Sequence, residues 1–447
     1  MLDPATAQAR ALDLIDRARR AGADASDVVY LGDASESVSV RLGKLEDVER
    51  SESEHIGLRV FVGRRSASIA SSDLGDAALD ELAARAVAMA SAAPEDPYAG
   101  LADAALLATD WPELDVVDRT EPSPATLRDR AAAAEDAARA VKGVTNSEGG
   151  GASAGRASFA LATSHGFAGS YATTSHGLSA SVIAGEGAGM QRDYAWRSAR
   201  HLSDMPTPDF IGTQAGARAV ARLNPGSLKS GPLPVVFDPR VGGTLIGHLL
   251  GAISGAAIAR RASFLLDREG APLFDSAVVI ADDPHRPRGL RSRPFDGEGL
   301  PTSARNLVEG GRVTGWLMDC AVARQLGLAP TGHAARGASG APGVGASNLH
   351  LAAGPLSPAA LMADIADGVY VTELIGHGVN GVTGDYSRGA SGFRIVNGEI
   401  AGPVAEFTIA GNLIDMFKAL VPANDLEWHR AINVPTIRVD GMVLAGE

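Results

Sequence analysis

Apolar and polar residues recur along the chain with two different periods, which together predict an ordered series of helices and strands. The N-terminus has the helical period, so Leu12, Leu14, Ile15 and Ala18 are predicted to form one apolar face and Gly22 to end the helix. Elsewhere the two periods predict strands over 24–72 and 158–184, and helices over 76–91, 124–142 and 209–222.

A stretch near the C-terminus combines turn chemistry, strand alternation and a helix start. Asn397-Gly398 stands between apolar pairs, and this dipeptide supplies the positive φ angles that a tight hairpin needs. Further on, Asn412 is placed to cap a short helix whose apolar face would extend from Leu413 to Leu420. Pro422 is expected to end that helix.

A long helix is predicted over 240–261. Its glycines recur every four residues, at 243, 247, 251 and 255, so one face would be smooth and would let another backbone come close. The nearly uncharged run from Thr244 to Ala259 is shorter than the about 20 residues that a membrane span needs. We therefore predict a buried core helix and no contact with a membrane.

These elements predict an α+β fold in two main parts. With 447 residues, the chain exceeds the roughly 250–300 residues that one hydrophobic core usually holds. The segment NPGSLKSGP, which begins at Asn224, marks the expected boundary. Residues 1–225 should form an N-terminal α+β domain, which could divide into about 1–115 and 116–225, and residues 226–447 a C-terminal domain dominated by antiparallel strands.

Composition and charge narrow the classes of function. A formal net charge of −13 and a pI near 5.3 leave no basic field to attract phosphates, so no nucleic-acid partner is expected. The single cysteine, Cys320, cannot form an intrachain disulfide and is expected to be a small buried residue. The N-terminal helix lacks the apolar core of a secretory signal. We therefore expect a cytoplasmic protein that keeps its N-terminus.

A polar, glycine-rich loop from Gly376 to Gly392 is the first candidate wall of a binding site. Its glycines would let the backbone approach a ligand closely. The candidate contacts to a substrate or partner are His248 in the predicted long helix and, around the loop, His377, Asn380, Thr383, Asp385, Tyr386, Ser387 and Arg388.

Several blocks, in order along the whole chain, resemble the TldD/PmbA family, and specifically its PmbA branch, also called TldE. They are RDYAWRSAR at 192–200, PFDGEG at 294–299, ARQLGL at 323–328, VNGVTGDYSRGASGF at 379–393 and EFTIAGNLIDMF at 406–417. The resemblance implies metallopeptidase work by paired TldD and TldE subunits. It also implies a cytoplasmic complex that acts on unfolded or short peptides.

The resemblance raises the question of which subunit's role this chain keeps. In the TldD branch the corresponding helix carries HExxxH, in which two histidines bind zinc and the glutamate is the general base. Alignment by the flanking motifs puts Ile246, Gly247 and Gly251 at these positions, and none of them can bind a metal or move a proton. His248 lacks a second ligand at helical spacing and is expected to be a core or interface histidine. We therefore expect no catalytic or metal-binding residue here, and zinc in a TldD-type partner.

Three functions remain open. The chain could be the non-zinc subunit of a TldD/TldE-like heterodimer, supplying a chamber wall and a partner interface, and could form a homodimer when alone. It could be a stand-alone metal-dependent peptidase with an atypical site. Or it could be a non-enzymatic binding or regulatory protein. The atypical site would draw on His248, His333, His350, His377 and Asp385.

Two further segments have more than one interpretation. Ser164-His165-Gly166 recurs at 175–177, which predicts two strand–turn junctions of one meander, with a paired histidine site as the alternative. The segment 331–347 has no periodicity and is either a loop ordered by a partner or peptide, or a solvent-exposed connector.

Overall fold

One antiparallel sheet forms the N-terminal part of the chain, in a computed structural model that describes residues 1–447. Its strands are β1 (Ala25–Arg41), β2 (Lys44–Val62), β3 (Arg65–Ser71), β4 (Val144–Thr163), β5 (Ala168–Ala184) and β6 (Gln191–Ala199). They pair in the order β3-β2-β1-β4-β5-β6. Because β1 pairs with β4, the segments before and after the connector around residue 115 share one sheet.

Two pairs of helices pack on this sheet. They are α1 (Pro4–Arg20), α2 (Asp76–Ala92), α3 (Pro124–Arg139) and α4 (Pro208–Ala221). Leu14 and Leu79 lie in the apolar cluster under α1 and α2, and Leu127 and Ile211 lie in the one under α3 and α4. Leu12 is 42% exposed, so its predicted place on the buried face is wrong. Two residues along a helix turn the side chain by about 200°, and Leu14 faces the sheet.

The C-terminal part contains the remaining strands, most of them antiparallel. They are β7 (Gly231–Phe237), β8 (Ile280–Asp282), β9 (Arg305–Glu309), β10 (Arg312–Val313), β11 (Ala334–Ala335), β12 (Gly343–Val344), β13 (Leu349–Leu351), β14 (Asp367–Ile375), β15 (Asp385–Val396), β16 (Glu399–Asn412), β17 (Leu420–Pro422), β18 (Ile432–Asn433) and β19 (Ile437–Ala445). One sheet has the order β16-β15-β14-β7-β19-β17, another has β10-β9-β8-β13-β18, and β11 pairs with β12. The predicted α+β fold with a strand-rich C-terminal part is confirmed.

Five helices accompany these strands, and the single long helix predicted over 240–261 is divided into two of them, α5 and α6. They are α5 (Pro239–Ala252), α6 (Gly255–Ala259), α7 (Cys320–Leu326), α8 (Pro358–Met362) and α9 (Leu413–Lys418). The prediction of one continuous helix is wrong because Ser254 is extended and bridges to Leu317, whose carbonyl accepts a hydrogen bond from the N–H of Gly255 at 2.8 Å. No helix in the structure combines the length and the apolar character that crossing a bilayer needs.

The predicted hairpin near the C-terminus is present. Asn397 and Gly398 have φ angles of 51° and 84° and join β15 to β16. The Asn412 side chain caps α9 by accepting a hydrogen bond from a backbone N–H of its first turn. The prediction that α9 continues to Pro422 is wrong, because Leu420 already pairs with β19 and its backbone groups are used in that sheet.

The segment 331–347 contacts the N-terminal sheet. Arg336 is buried, and its Nη2 donates a hydrogen bond to Oδ1 of Asp27 at 2.6 Å. The backbone of Ala338 lies on β2, where a Cβ added to Gly57 would be 1.8 Å from the Ala338 carbonyl oxygen. The interpretation of this segment as a solvent-exposed connector is therefore wrong for Arg336 and Ala338, which lie against the chain's own N-terminal part, whereas residues 339–341 are exposed.

The repeated Ser-His-Gly sequence occupies two different environments. His165 lies in the turn between β4 and β5, as predicted, and Gly166 has a φ of 101° there. His176 lies in the middle of β5, where it is buried and its Nε2 is 3.1 Å from Oδ2 of Asp118. The prediction of a second strand–turn junction is wrong because β5 continues through this site, paired with β4 and β6.

Candidate functional site

Helix α5 buries its large residues and leaves small ones on its outer side. The Asp238 side chain caps its start by accepting a hydrogen bond from the N–H of Arg240 at 2.8 Å, and a proline follows at the first position. Leu245, Ile246 and Leu249 are fully buried in the largest apolar cluster. The helix is thereby held against β7 and β14, and its opposite side is the candidate functional surface.

The three positions aligned with HExxxH divide between these two sides of α5. Ile246 is in the core, whereas a Cβ added to Gly247 or Gly251 would meet no atom of this chain within 4 Å. No other segment therefore covers the glycine stripe at these two positions, although Ile432 lies beside Gly243 at 3.7 Å. An aliphatic side chain and bare backbone do not fit a zinc ion, which needs nitrogen, sulfur or carboxylate ligands.

The structure brings three of the predicted site residues together: His248 of α5 and, from β15 beside it, Tyr386 and Arg388. Residues alternate along β15, so that Tyr386 and Arg388 face inward while Asp385 and Ser387 are exposed. The rings of His248 and Tyr386 meet edge to face, with centroids 6.1 Å apart, and the His248 Nε2 and the Tyr386 hydroxyl have no hydrogen-bond partner in the protein.

The charge state of this cluster follows from its burial. Burial, and then the nearby charge of Arg388, lower the pKa of His248, while burial raises the pKa of Tyr386. Arg388 donates from Nε to the Ile375 carbonyl at 3.3 Å. At neutral pH the cluster is therefore a neutral imidazole and a neutral phenol beside one guanidinium cation.

The other predicted residues form the outer loop, and most of them stabilise its shape. Oδ1 of Asn380 accepts hydrogen bonds from the N–H groups of Val382 and Thr383 at 2.9 and 3.2 Å. The hydroxyl of Thr383 donates to Asp385 at 2.6 Å, and this bond, followed by one from Asn412, lowers the pKa of that carboxyl. These side chains are thus used within the loop itself.

His377 and Ser387 differ from their neighbours because both are exposed and neither side chain makes a hydrogen bond within the chain. The residues proposed for an atypical metal site are dispersed. His333 pairs with Asp282, with Nε2 and Oδ2 3.3 Å apart, and His350 packs on Trp428 with ring centroids 4.6 Å apart. No three His, Cys, Asp or Glu side chains are grouped in a way that could hold a metal ion.

Two sets of polar residues were not singled out from the sequence. One is the acidic pair of the PFDGEG block: Asp296 accepts backbone hydrogen bonds from Glu298 and Leu300, and Glu298 accepts one from Cys320 at 2.7 Å. Burial raises the pKa of both carboxyls. A DGE sequence between apolar residues was the available signal for this buried acidic turn.

The second set consists of arginines that line a cleft of about 580 Å³ between the N-terminal and C-terminal parts. The block RDYAWRSAR contributes Arg197 and Arg200, and the segment HRPRG contributes Arg286 and Arg288. The close spacing of the basic residues in each segment was visible in the sequence, but only the tertiary structure brings the two segments together.

Comparison with known proteins identifies the family to which this chain is similar. Family models of the PmbA/TldA metallopeptidases match residues 26–90 (domain 1), 118–223 (central domain) and 230–446 (C-terminal domain). The chain is 39% identical to the metalloprotease PmbA of Escherichia coli O157:H7, over 95% of this chain and 93% of the relative. It is 35% identical to the PmbA homolog of Haemophilus influenzae, over 97% of this chain and 94% of the relative.

Solved structures agree with this assignment at the level of the fold. A crystal structure of a protein from Bacteroides thetaiotaomicron superposes with a TM-score of 0.90 at 25% identity, covering 98% of this chain and 99% of that one. TldE from Thermococcus kodakarensis superposes with a TM-score of 0.87 at 20% identity, covering 98% and 100%. The chain belongs to the PmbA/TldD metallopeptidase family, in its PmbA branch.

Proposed function

We propose that this chain is the non-zinc subunit of a heterodimeric, TldD/TldE-like metallopeptidase that acts on unfolded or short peptides in the cytoplasm. The proposal is supported by the residues that α5 has at the three positions aligned with HExxxH. A metallopeptidase family member has a buried isoleucine, Ile246, and two bare glycines, Gly247 and Gly251, where zinc ligands and a general base would have to be. A TldD-type partner would supply the zinc.

The surface around α5 supports a role as a chamber wall and partner interface. Gly247 and Gly251 leave helix backbone open to approach by another chain. Two aliphatic side chains are exposed beside this helix, Ile375 at the end of β14 and Val382 in the loop, and they are 58% and 57% exposed. Arg388 links this exposed surface to α5, because it donates a hydrogen bond to the Ile375 carbonyl and its charge lowers the pKa of His248. Exposed apolar surface beside open backbone is typical of an interaction site, and could also pair two copies of this chain when it is alone.

Peptide cleavage tests the division of labour. An unfolded peptide is incubated with this chain alone, with a TldD-type partner from the same host alone, and with both proteins, and zinc is measured in each purified protein. We expect stoichiometric zinc only in the partner and efficient cleavage only by the pair. Stoichiometric zinc in this chain together with cleavage by this chain alone would mean that it is a stand-alone peptidase.

Gly247→Leu tests the interface part of the proposal, because its side chain would project from the open side of α5 without meeting this chain. We expect it to fold normally and to lose co-elution with the partner. Gly189→Leu is the matched control, since Gly189 is exposed in the N-terminal part and an added Cβ there also meets nothing within 4 Å. If wild-type chain fails to co-elute with the partner, a non-enzymatic binding or regulatory role is favoured instead.

A further inference from the structure

The cleft between the two parts of the chain concentrates positive charge in an acidic protein. Five arginines line it, in a chain whose formal net charge is −13. In two of them the guanidinium group is held by backbone carbonyls or by a pair of carboxylates. Arg200 donates to the backbone carbonyls of Thr174, Gly289 and Leu290, and Arg288 bonds to Asp115 and Asp204.

The other three arginines, Arg197, Arg286 and Arg430, lack a buried counter-charge. Arg286 and Arg430 have no carboxylate within 4 Å, and the one acid near Arg197 is Glu427, at 3.4 Å, whose side chain is 68% exposed. Burial of guanidinium groups without carboxylates is unfavourable, because arginine stays charged at all physiological pH values. The cleft therefore holds two cations without a carboxylate partner, Arg286 and Arg430, and a third, Arg197, whose only carboxylate partner is the exposed Glu427.

Burial and the positive charge of this cleft both act on its neighbouring groups. Burial, followed by the charges of Arg197 and Arg430, lowers the pKa of His429 to about 3. Burial, and then Arg197, also lower the pKa of Arg430. His429 is therefore neutral at physiological pH, and its Nε2 accepts a hydrogen bond from Arg430 at 3.1 Å.

Aromatic rings hold two of these guanidinium groups in place. Arg286 lies over Trp428, 3.3 Å from the ring centre, and Arg430 lies over Trp196 at 4.8 Å. A guanidinium stacked on a ring keeps its N–H edge free, and that edge matches the two oxygens of a carboxylate. The buried side chain of Asn433 fixes the Arg430 loop through backbone hydrogen bonds, so the arrangement is formed before any ligand arrives.

We propose that this cleft binds the carboxylates of an acidic segment of the peptide substrate, through Arg197, Arg286 and Arg430. The inference rests on the proposed function, which supplies peptides as the ligand class. The three cations come from three separate segments of the chain around a volume of about 580 Å³, which fits several carboxylates spaced along a peptide better than one small oxyanion. Arg286 covers one face of Trp428, so that face is not available for stacking a nucleotide base.

Binding to the full chain, without partner or zinc, tests this inference separately from catalysis. A short fluorescein-labelled peptide containing several glutamates is compared by fluorescence anisotropy with the same peptide carrying glutamines. We expect the glutamate peptide to bind at least about tenfold more tightly, as befits hydrogen bonds to charged groups. Its affinity should fall between about 50 and about 200 mM NaCl. Equal affinities of the two peptides would overturn the proposal.

Substitutions locate the site and separate binding from folding. Arg286→Gln and Arg430→Gln should each weaken the glutamate peptide about fivefold or more, whereas Arg85→Gln, at an exposed and unpaired arginine of α2, should have no effect. Neither cleft variant should melt below the wild type, because an unneutralised charge is removed. Arg430→Lys keeps a charge and should bind more tightly than Arg430→Gln.

Three results would contradict the assignment. These are wild-type binding by both cleft variants, lower melting temperatures in proportion to lost binding, and displacement of the peptide by inorganic phosphate at equal concentration. The last would indicate a site for a small oxyanion. Failure of the proposed function would instead appear as zinc or peptidase activity in this chain alone, whatever the binding result.

Discussion

The buried ion network between β1 and the segment 331–347 allows a quantitative test of how the N-terminal and C-terminal parts of the chain are held together. Asp27 accepts hydrogen bonds from Arg336 at 2.6 Å and from Nε of Arg59 at 2.8 Å. Glu298 is the next nearest acid, with Oε1 3.8 Å from Arg59. All four side chains are at least nine-tenths buried. One carboxylate therefore pairs with two guanidinium groups from opposite parts of the chain.

The perturbation is Asp27→Asn, which keeps the size and one acceptor oxygen of the side chain but removes its charge. Arg59 and Arg336 are then left buried with only Glu298 to neutralise them. Removing one partner of a buried ion pair costs about 3–5 kcal/mol, because the remaining charge cannot be solvated. We expect the free energy of unfolding to fall by about that amount.

Urea unfolding followed by tryptophan fluorescence at neutral pH measures the effect. Asp33→Asn is the matched control on the same strand, since Asp33 is exposed and unpaired and should change stability by less than about 0.5 kcal/mol. Combining Asp27→Asn with Arg336→Met should cost less than the sum of the two single changes, because the orphaned charge is removed. A loss below about 0.5 kcal/mol for Asp27→Asn would refute this account of the network.

The remaining predictions concern the candidate surface and a buried acid. Gly247→Ala should stabilise the isolated chain by about 0.5–1 kcal/mol in urea unfolding, because the added Cβ meets no other atom. Gly212→Ala should destabilise it, because the added Cβ would be 2.1 Å from a carbonyl oxygen of α3. The reverse order of stabilities would contradict the packing described for α5. His248→Ala should leave peptide cleavage by the reconstituted pair within a few fold, and a loss of several orders of magnitude would place this histidine in the chemistry. Burial opposes ionisation of Asp282, but hydrogen bonds, the first of them from His333, hold its pKa below the ordinary value. Its stabilising contribution is therefore complete above about pH 4 and is lost as the pH falls through the lowered pKa, so Asp282→Asn should cost about 1–3 kcal/mol at pH 7 and progressively less in acid, as urea unfolding at several pH values would show.

Local sequence alone determined the features whose causes lie within a few residues. The Asn397-Gly398 turn formed as predicted because few other dipeptides adopt positive φ at both positions, and Asn412 capped its helix because the bond is to a neighbouring N–H. Gly22 likewise follows α1 with a φ of 104°. The family resemblance aligned Ile246, Gly247 and Gly251 of α5 with HExxxH, and side-chain chemistry then sufficed to show that none of the three can bind a metal.

Only the tertiary structure decided features that depend on groups distant in sequence. A carbonyl at Leu317 interrupts the long helix after α5, and pairing of Leu420 with β19 shortens α9, because in each case a remote backbone partner replaces the helical hydrogen bond. Arg336 reaches Asp27 across 309 positions, and Arg197 and Arg430 share one cleft although they come from opposite parts of the chain. The periodicity of apolar residues in the sequence shows which face of a helix or strand is apolar. Which charges are neutralised and which backbone groups pair depends on the segments that the fold places beside that helix or strand.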